Sequence, residues 1–459
     1  MNLPNYFLAD LPPEATLSPS MITEACLTLK RNRERYLAQR STQSMVALLS
    51  SVAKSWLETE NPFRKRALEQ GPAATNLSRE TLANGLDAFF RALTAEKFQA
   101  LLVQDLGHAQ RLDRLTASEA DQRARRASLA TAPELLTHIA PANLPVSLWM
   151  SLVLGVLVRS AQFVKCATGA ALLPRLFAHS VYEADAKVGS CLEIAEWPGG
   201  NLQLEEALFA ETTCVTATGT DETLEALRQR LPRRVRFVPY GNRVSFGFVS
   251  HEVLSWMNAA SLAGRAAADV VAWNQLGCLS PHVFYVQRGG EIPPARFAEL
   301  LAEELAQREQ LEPRGPVPDA TAAAIASRRS IYELRAAHSP DTKLWCSQGS
   351  TAWTVVYETE NDEASSRFQL SCLHRFIYVK SVKDLAQALQ ITEPMRGQLS
   401  TVGLAAPEHR AEELATELAR WGVTRVCPLG QMQNPPLTWR HDGRPALGEL
   451  VTWTDWEAG

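Results

Sequence analysis

The sequence predicts an α/β fold that contains a doubly wound parallel sheet. Short apolar strands alternate with helical segments over residues 131–248, and strands joined by helices pair in parallel. A second stretch of α/β character follows at residues 249–425. The 459 residues suffice for two or three domains with cores of their own. We therefore expect two α/β domains between a helical amino-terminal region and a carboxyl-terminal arm.

Each predicted region has its own pattern. The first α/β stretch carries strands at residues 163–166, 192–197, 214–217 and 236–239, with helices at 170–181, 202–210 and 222–231. Residues 1–130 are charged and helical, with apolar residues at helical spacing over 21–38 and 79–93. Residues 426–459 are rich in Trp, Pro and Gly, which predicts an irregular arm.

Composition excludes some classes of function. Lys and Arg number 46 against 50 Asp and Glu, so the net charge of −4 argues against a nucleic-acid-binding protein. The eight cysteines are scattered, without a CxxC pair or a spacing typical of metal ligands. We expect reduced thiols, no metal and a cytoplasmic location, and the first residues do not resemble a secretory signal.

One apolar segment could be either a buried core helix or a membrane-spanning helix. Residues 144–158 are apolar and uncharged, but the segment is shorter than the ~20 residues of a spanning helix. Asn143 and Pro145 also stand at its start. A helix that is apolar on all sides in such a chain is typical of a protein core, so we predict a buried helix.

The first α/β stretch has features of a nucleotide site but lacks the GxGxxG motif. Its best substitute is TGTD at residues 218–221, at a strand-to-helix turn where free backbone N–H groups suit a pyrophosphate. The alternative is that Thr220 or Asp221 only caps the helix. Lys165 ends a strand and is either a ribose or phosphate anchor or a solvated lysine. The residues alone leave both choices open.

Cys278 is the candidate nucleophile. It follows Gly277, where a predicted helix at 251–273 gives way to a predicted strand at 282–287. Glycine permits close approach of the backbone to a bound group, and a thiolate there can form a covalent acyl intermediate. The alternative is that Cys278 is one more small buried hydrophobic residue.

Eight short motifs occur in a fixed order. They are PANLP at 141–145, FVK at 163–165, WPGG at 197–200, GTDET at 219–223, FVPYGNRVSF at 237–246, QLGCLSP at 275–281, QLSTVGL at 398–404 and WRHDGR at 439–444. Over residues 135–456 this set resembles the acyl-CoA reductase branch of the aldehyde dehydrogenase superfamily, the LuxC-type long-chain fatty acyl reductases. The resemblance implies an aldehyde-dehydrogenase-like fold with two doubly wound parallel-sheet domains: a Rossmann-like NAD(P) domain at 131–248 and a catalytic domain at 249–425.

The resemblance also implies roles for single residues. Cys278 matches the nucleophile that forms a thioester with the acyl group. Asn143 matches the asparagine that stabilises the tetrahedral oxyanion together with the nucleophile's own N–H. Lys165 matches the lysine that holds the adenosine ribose, and Gly219 and Thr220 match the pair at the pyrophosphate helix.

Further matches concern the cofactor. Gly199 and Gly241 lie in matched motifs and are assigned to the cofactor site. Thr168 stands where NAD-preferring relatives often carry a glutamate that would repel a 2′-phosphate, so NADPH is the expected cofactor. The contact to the nicotinamide ribose, near residues 371–373, stays unassigned.

The implied reaction is the NADPH-dependent reduction of a fatty acyl thioester, acyl-CoA or acyl carrier protein, to the aldehyde. Residues 239–243 lack the glutamate that activates water in hydrolytic aldehyde dehydrogenases, which favours reduction over aldehyde oxidation. The alternatives are an aldehyde oxidiser or acyl-transfer cysteine enzyme on the same fold, and a non-catalytic subunit of a fatty-acid complex.

The expected partners follow from the same resemblance. A second enzyme that transfers acyl groups is one expected partner, whereas nucleic acid and an integral membrane position are not expected. The arm places Trp439, Trp453 and Trp456 near two prolines, which makes it apolar for a free segment. Such arms often cross to a neighbouring subunit in the superfamily that the chain resembles, so the resemblance implies a homodimer or homotetramer. The alternative is that the arm folds back on its own chain.

Overall fold

The structure, a computed structural model, describes residues 3–12, 14–140, 145–359 and 367–457. Its contacts divide the chain into two compact units. The first unit comprises Met1–Thr75, Leu86–Gly241 and Pro436–Gly459, and the second comprises Asn76–Gly85 and Asn242–Pro435. The chain thus passes from the first unit to the second directly after Gly241, inside the FVPYGNRVSF motif.

The amino-terminal region is helical. Its helices are α1 (Pro19–Asn32), α2 (Thr42–Trp56), α3 (Pro62–Thr75), α4 (Arg79–Arg91), α5 (Ala95–Leu106) and α6 (Glu119–Arg123). Hydroxyl side chains begin several of them: Ser18 accepts from the N–H of Met21 at the start of α1, and Thr94 accepts from Lys97 at the start of α5. The helix predicted over 21–38 continues past α1 as a π-helical turn, Arg33–Leu37.

The first unit contains a five-stranded parallel sheet. After strand β1 (Arg126–Thr131) the elements alternate as β2 (Leu135–Ile139), α7 (Pro145–Leu157), β3 (Ala161–Cys166), α8 (Leu172–Ala184), α9 (Ala186–Gly189), β4 (Leu192–Glu196), α10 (Leu202–Glu211), β5 (Cys214–Thr218), α11 (Asp221–Arg230) and β6 (Arg236–Tyr240). The strand order is β4-β3-β2-β5-β6. The order reverses between β2 and β5, which is the doubly wound arrangement that the alternating pattern predicted.

Helix α7 is the apolar segment of the sequence. It has 13 residues, and Trp149, Leu152 and Val153 are completely buried in the first unit. The prediction of a buried helix is confirmed. Within the described residues, no helix has both the length and the apolar character needed to cross a membrane.

The second unit contains a seven-stranded sheet. Its elements are β7 (Val244–Val249), α12 (Ala259–Val271), β8 (Pro281–Gln287), α13 (Pro294–Leu311), α14 (Asp319–His338), β9 (Thr342–Cys346), β10 (Thr354–Glu358), β11 (Phe376–Val382), α15 (Leu385–Thr392), β12 (Leu399–Ala405), α16 (Glu408–Trp421) and β13 (Arg425–Pro428). The order is β13-β12-β7-β8-β11-β10-β9, parallel except for β9, which pairs antiparallel with β10. Apolar clusters cover the sheet, one containing Phe246 and Tyr378 and another containing Val270 and Phe284. The predicted α/β class is confirmed in both units.

The carboxyl-terminal segment returns to the first unit. Strand β14 (Thr452–Glu457) pairs antiparallel with β1 in a two-stranded ribbon, and Pro436–Gly459 belongs to that unit. Trp453 and Trp456 remain 40% and 55% exposed on the ribbon. The segment therefore packs on its own chain and still presents two large aromatic side chains to solvent.

Candidate functional site

The predicted cofactor residues of the first unit lie at one edge of its sheet. Lys165 is the next-to-last residue of β3, Gly199 follows β4, Gly219 and Thr220 follow β5, and Gly241 follows β6. All four strands are parallel, so their carboxyl ends share an edge. Open α/β sheets bind ligands at this edge, where the strand order reverses.

Lys165 is buried. Its side chain is 6% exposed and its amine lies 5.8 Å from the centre of the Trp197 ring, so it is not the solvated lysine that the sequence left possible. Burial lowers the pKa of the amine, and the nearby carboxylate of Glu205 opposes that shift. A cation held in partly apolar surroundings fits an anionic or hydroxyl-rich ligand.

Thr168 is exposed in the turn that follows β3. The turn is held by Glu196, the last residue of β4, whose carboxylate accepts the N–H of Gly169 at 2.8 Å and of Ala171 at 3.2 Å. Gly169 adopts a φ of +81°, which glycine reaches without strain. Glu196 was not predicted from the sequence; the signal for it was a carboxylate at the end of β4, the strand that pairs with the strand of Lys165.

The start of α11 is a capped helix end. Thr220 Oγ1 accepts the N–H of Thr223 at 3.3 Å, as the capping alternative predicted. Glu222 also bonds in this turn: its own backbone N–H and the Thr220 hydroxyl lower the pKa of its carboxyl. A pyrophosphate bound here would have to replace the Glu222 carboxylate on that N–H.

The glycines of this edge leave room for a dinucleotide. Among the described residues, apart from the chain neighbours, no atom lies within 4 Å of a Cβ placed on Gly199 or Gly200, and a Cβ on Gly219 would make ordinary contact with Thr223, at 3.5 Å. An open glycine surface, a buried cation and a helix start along one sheet edge fit a nicotinamide dinucleotide. Gly241 is different, because a side chain there would collide with the carboxylate of Asp221.

Cys278 lies in the second unit, in a turn between α12 and β8. The turn is closed by the N–H of Ser280, which donates to the carbonyl of Gly277 at 2.9 Å. All eight cysteines are free thiols, and Cys278 is the exposed one among them. Burial raises the pKa of Cys26, Cys166, Cys191 and Cys214 to about 12. The alternative of a buried hydrophobic cysteine therefore does not apply to Cys278.

The backbone before Cys278 is strained. Trp273, Asn274 and Gln275 all have left-handed φ angles, of 53°, 51° and 65°. For residues other than glycine, this conformation costs roughly 1–2 kcal/mol each. Such strain persists only where the surroundings determine it, and it is frequent at functional sites.

A second left-handed turn holds the first. Leu373, His374 and Arg375 have φ angles of 58°, 53° and 67°. Arg375 is fully buried and donates its Nε–H to Asn274 Oδ1 at 3.1 Å. Gln275 donates to the carbonyl oxygens of Phe376 at 2.9 Å and Pro281 at 2.7 Å. No local pattern in the sequence signalled this pairing of turns 100 residues apart.

His282 and Ser371 form a further pair close to the turns. His282 Nδ1 accepts the backbone N–H of Ser371 at 3.1 Å and lies 3.1 Å from the Ser371 hydroxyl. Nδ1 is therefore an acceptor, so the ring proton sits on Nε2 in the neutral form. Burial lowers the pKa of His282 to about 4. This pair occupies the region around residues 371–373 whose role the sequence left unassigned.

The proposed oxyanion donor and the expected absence of a metal concern other parts of the chain. Asn143, the proposed oxyanion donor, lies outside the described residues. In the part of the chain that the structure describes, no three His, Cys, Asp or Glu side chains gather as a metal site would require.

The chain matches one family of known proteins. The sequence model of the acyl-CoA reductase (LuxC) family matches residues 37–453. A search of curated proteins found no match.

Solved structures share the fold. One is an NAD-dependent benzaldehyde dehydrogenase from Corynebacterium glutamicum, at 14% identity and a TM-score of 0.69, covering 97% of this chain and 90% of that chain. Another is an NADP-dependent glyceraldehyde-3-phosphate dehydrogenase from Bacillus halodurans complexed with NADP, at 14% identity and a TM-score of 0.68, covering 96% and 92%. A variant of Bradyrhizobium japonicum Proline Utilization A is similar at 14% identity and a TM-score of 0.71. The similarity covers 96% of this chain but only 45% of the length of Proline Utilization A. These similarities confirm the aldehyde-dehydrogenase-like fold.

Proposed function

The chain belongs to the acyl-CoA reductase (LuxC) family, and from this premise we propose that it reduces fatty acyl thioesters to aldehydes through an acyl-Cys278 intermediate, with NADPH as the reductant. The observation that carries the proposal is the exposure of Cys278 on a strained, side-chain-braced turn, while the other seven thiols are buried or partly buried. An accessible thiol in a held geometry is what covalent catalysis requires.

The chemistry assigned to Cys278 is thioester exchange. Its thiolate attacks the acyl carbonyl, a tetrahedral oxyanion forms, and the collapse of this intermediate expels the donor thiol, so one thioester replaces another at little thermodynamic cost. The backbone N–H of Cys278 and the amide of Asn143 are the proposed oxyanion donors, each worth about 2.7–4 kcal/mol when well placed. Bound NADPH would supply a hydride to the enzyme thioester, after which Cys278 leaves as a thiolate and the aldehyde is released.

The cofactor assignment rests on the first unit. Lys165 would hold the adenosine ribose, Gly219 and Thr220 the pyrophosphate, and the open surface at Gly199 would admit the dinucleotide backbone. NADPH is preferred over NADH because Thr168, exposed on its turn, has no charge to repel a 2′-phosphate. Glu196 directs both carboxylate oxygens to the backbone of that turn, which supports the same preference.

Residues 239–243 carry no carboxylate that could activate water, so water should be a poor competitor for the proposed acyl-enzyme. If the protein is a reductase, the acyl-enzyme should persist for minutes without NADPH. Release of free fatty acid as fast as NADPH discharges the acyl-enzyme would favour the oxidation of aldehydes.

The exposed tryptophans of the ribbon support a proposal about assembly. Trp453 and Trp456 present apolar surface that a second copy of the chain would cover, so we propose a homo-oligomer. We place it in the cytoplasm, where it would receive acyl groups from CoA, acyl carrier protein or a transferring enzyme. A light-scattering mass equal to one chain at micromolar concentration would contradict the oligomer.

The decisive test of the function is acylation. Incubation with radiolabelled long-chain acyl-CoA in the absence of NADPH should leave a hydroxylamine-sensitive label, and addition of NADPH should discharge it as aldehyde. Cys278→Ala should remove the label, whereas Cys346→Ala, at a partly buried thiol, should keep it. Label that survives in a folded Cys278→Ala protein would overturn the mechanism, and a wild-type protein that takes up no label would favour a non-catalytic subunit.

A further inference from the structure

The carbonyl group of Cys278 is held by a hydroxyl from another strand. Ser245, in β7, is fully buried and its Oγ lies 2.8 Å from the carbonyl oxygen of Cys278. The same Oγ accepts the backbone N–H of Thr401, in β12, at 3.1 Å. Since the Thr401 N–H can only donate, the single hydroxyl proton of Ser245 is directed to Cys278.

The two strand pairs that flank Ser245 are irregular at this position. The register of β7 with β8 shifts between Ser245 and Phe246. The register of β7 with β12 shifts between Leu399 and Val402, beside the Thr401 that bonds to Ser245. Such irregularities re-aim side chains and are frequent next to active sites. Here they coincide at the serine that reaches the thiol-bearing residue.

Two further bonds to this turn hold neighbours of Cys278. Gln433 donates to the hydroxyl of Ser280 at 2.8 Å, and Gln275 donates to the carbonyl of Pro281. The bond from Ser245 reaches the backbone of Cys278 itself. It restricts the ψ angle of Cys278 and therefore the orientation of the peptide plane that follows the thiol-bearing residue.

We propose that Ser245 is a positioning residue for acylation, which it promotes by holding the Cys278 carbonyl so that Sγ and the backbone N–H face the acyl carbonyl together. The inference rests on the proposed role of Cys278 as the nucleophile. A displacement of about 1 Å in a reacting group can cost about 100-fold in rate, so a backbone anchor at the nucleophile has a large effect on the chemical step.

The chain offers a matched control. Ser400 is also fully buried, lies in β12 of the same sheet, and its hydroxyl makes no hydrogen bond among the described residues. Ser245→Ala and Ser400→Ala therefore remove the same atom from the same kind of environment, but only the first removes the bond to Cys278. Ser245→Thr keeps the hydroxyl and serves as the rescue.

The experiment measures single-turnover acylation by radiolabelled acyl-CoA without NADPH, as a function of acyl-CoA concentration, together with thermal unfolding. Ser245→Ala should lower the maximal acylation rate by about 10- to 100-fold and leave the half-saturating concentration within about threefold of wild type. Ser400→Ala should stay within about twofold of wild type in both, and Ser245→Thr should regain most of the rate.

The outcomes separate this inference from the proposed function. Wild-type protein that takes up no label at Cys278 refutes both. If wild-type protein is labelled, four results refute only the role of Ser245. Two of them are an unchanged rate in Ser245→Ala and a loss of rate in Ser400→Ala as large as in Ser245→Ala. The other two are a change in Ser245→Ala that is confined to the half-saturating concentration and a folded Ser245→Thr that is as slow as Ser245→Ala.

Discussion

The two candidate sites of this protein are built differently. In the first unit, the proposed cofactor residues lie at or just after the carboxyl ends of parallel strands. Each belongs to a short local motif, such as the cap of α11 at Thr220. In the second unit, Cys278 lies in a turn held by side chains from β7 and from the turn before β11, at Ser245 and Arg375. The first kind of site depends on local geometry and the second on long-range contacts, so substitutions should affect them in different ways.

Acid should destabilise the second site through His282. The pKa of His282 is lowered by burial from 6.5 to about 4, so its contribution to stability is complete above pH 6.5 and is lost as the pH falls toward 4. The loss amounts to about 3 kcal/mol of unfolding free energy. Denaturant unfolding at pH 7 and pH 4.5 should therefore show a smaller pH-dependent loss in His282→Gln than in wild type. His409→Gln, at a histidine 72% exposed, should behave as wild type; equal behaviour of the two variants would contradict the buried, neutral assignment.

Lys165→Ala should separate the cofactor step from acylation. Removal of a buried cation that holds the ribose should raise the KM for NADPH by about 10- to 100-fold, because a hydrogen bond to a charged group is worth about 1.5–3 kcal/mol. Acylation of Cys278 without NADPH should be unchanged. The exposed Lys187, in α9, gives the control Lys187→Ala, which should alter neither quantity. Slow acylation in Lys165→Ala would mean that the two sites are not separable in this way.

Asn274→Gly should weaken the turn before Cys278 without adding backbone strain. Glycine adopts the φ of 51° easily, but the buried Nε of Arg375 loses its acceptor, at a cost of about 1–3 kcal/mol. We expect a lower unfolding temperature and about tenfold slower acylation. Asn76→Gly is the matched control, since Asn76 is exposed and has a φ of 58°. If both variants acylate like wild type, the paired turns do not support the thiol.

Thr168→Glu should have the smallest effect. A carboxylate in the turn after β3 should repel a 2′-phosphate and shift the ratio of kcat/KM for NADPH to that for NADH by about tenfold or less toward NADH. The comparison variant Thr168→Gln has a similar size and no charge, and it should keep the wild-type ratio. A ratio that changes equally in both variants would point to the shape of the turn rather than to its charge.

Much of the first unit could be predicted from the sequence. The strands predicted at 163–166, 192–197, 214–217 and 236–239 are β3, β4, β5 and β6 within one or two residues at each end. The helix predicted at 251–273 was less accurate, because α12 begins only at Ala259, after a short 3₁₀ turn at His251–Val253. Glu196 was not predicted although it pairs with Cys166, the residue after Lys165, since the register of two strands is not visible in a single segment.

The alternation of strands and helices, the buried helix α7, the order of the family motifs and the position of Cys278 after a glycine can all be read from the sequence. These are properties of neighbouring residues, expressed through hydrophobic periodicity and turn chemistry. The contacts that hold the thiol's turn are visible only in the folded chain: the bond from Ser245 across 33 residues and the bond from Arg375 across 101 residues. The same is true of the exposure of Cys278 among the eight cysteines. The reason is physical, because hydrogen bonds between distant segments depend on sheet register and on strained turns that no local pattern specifies.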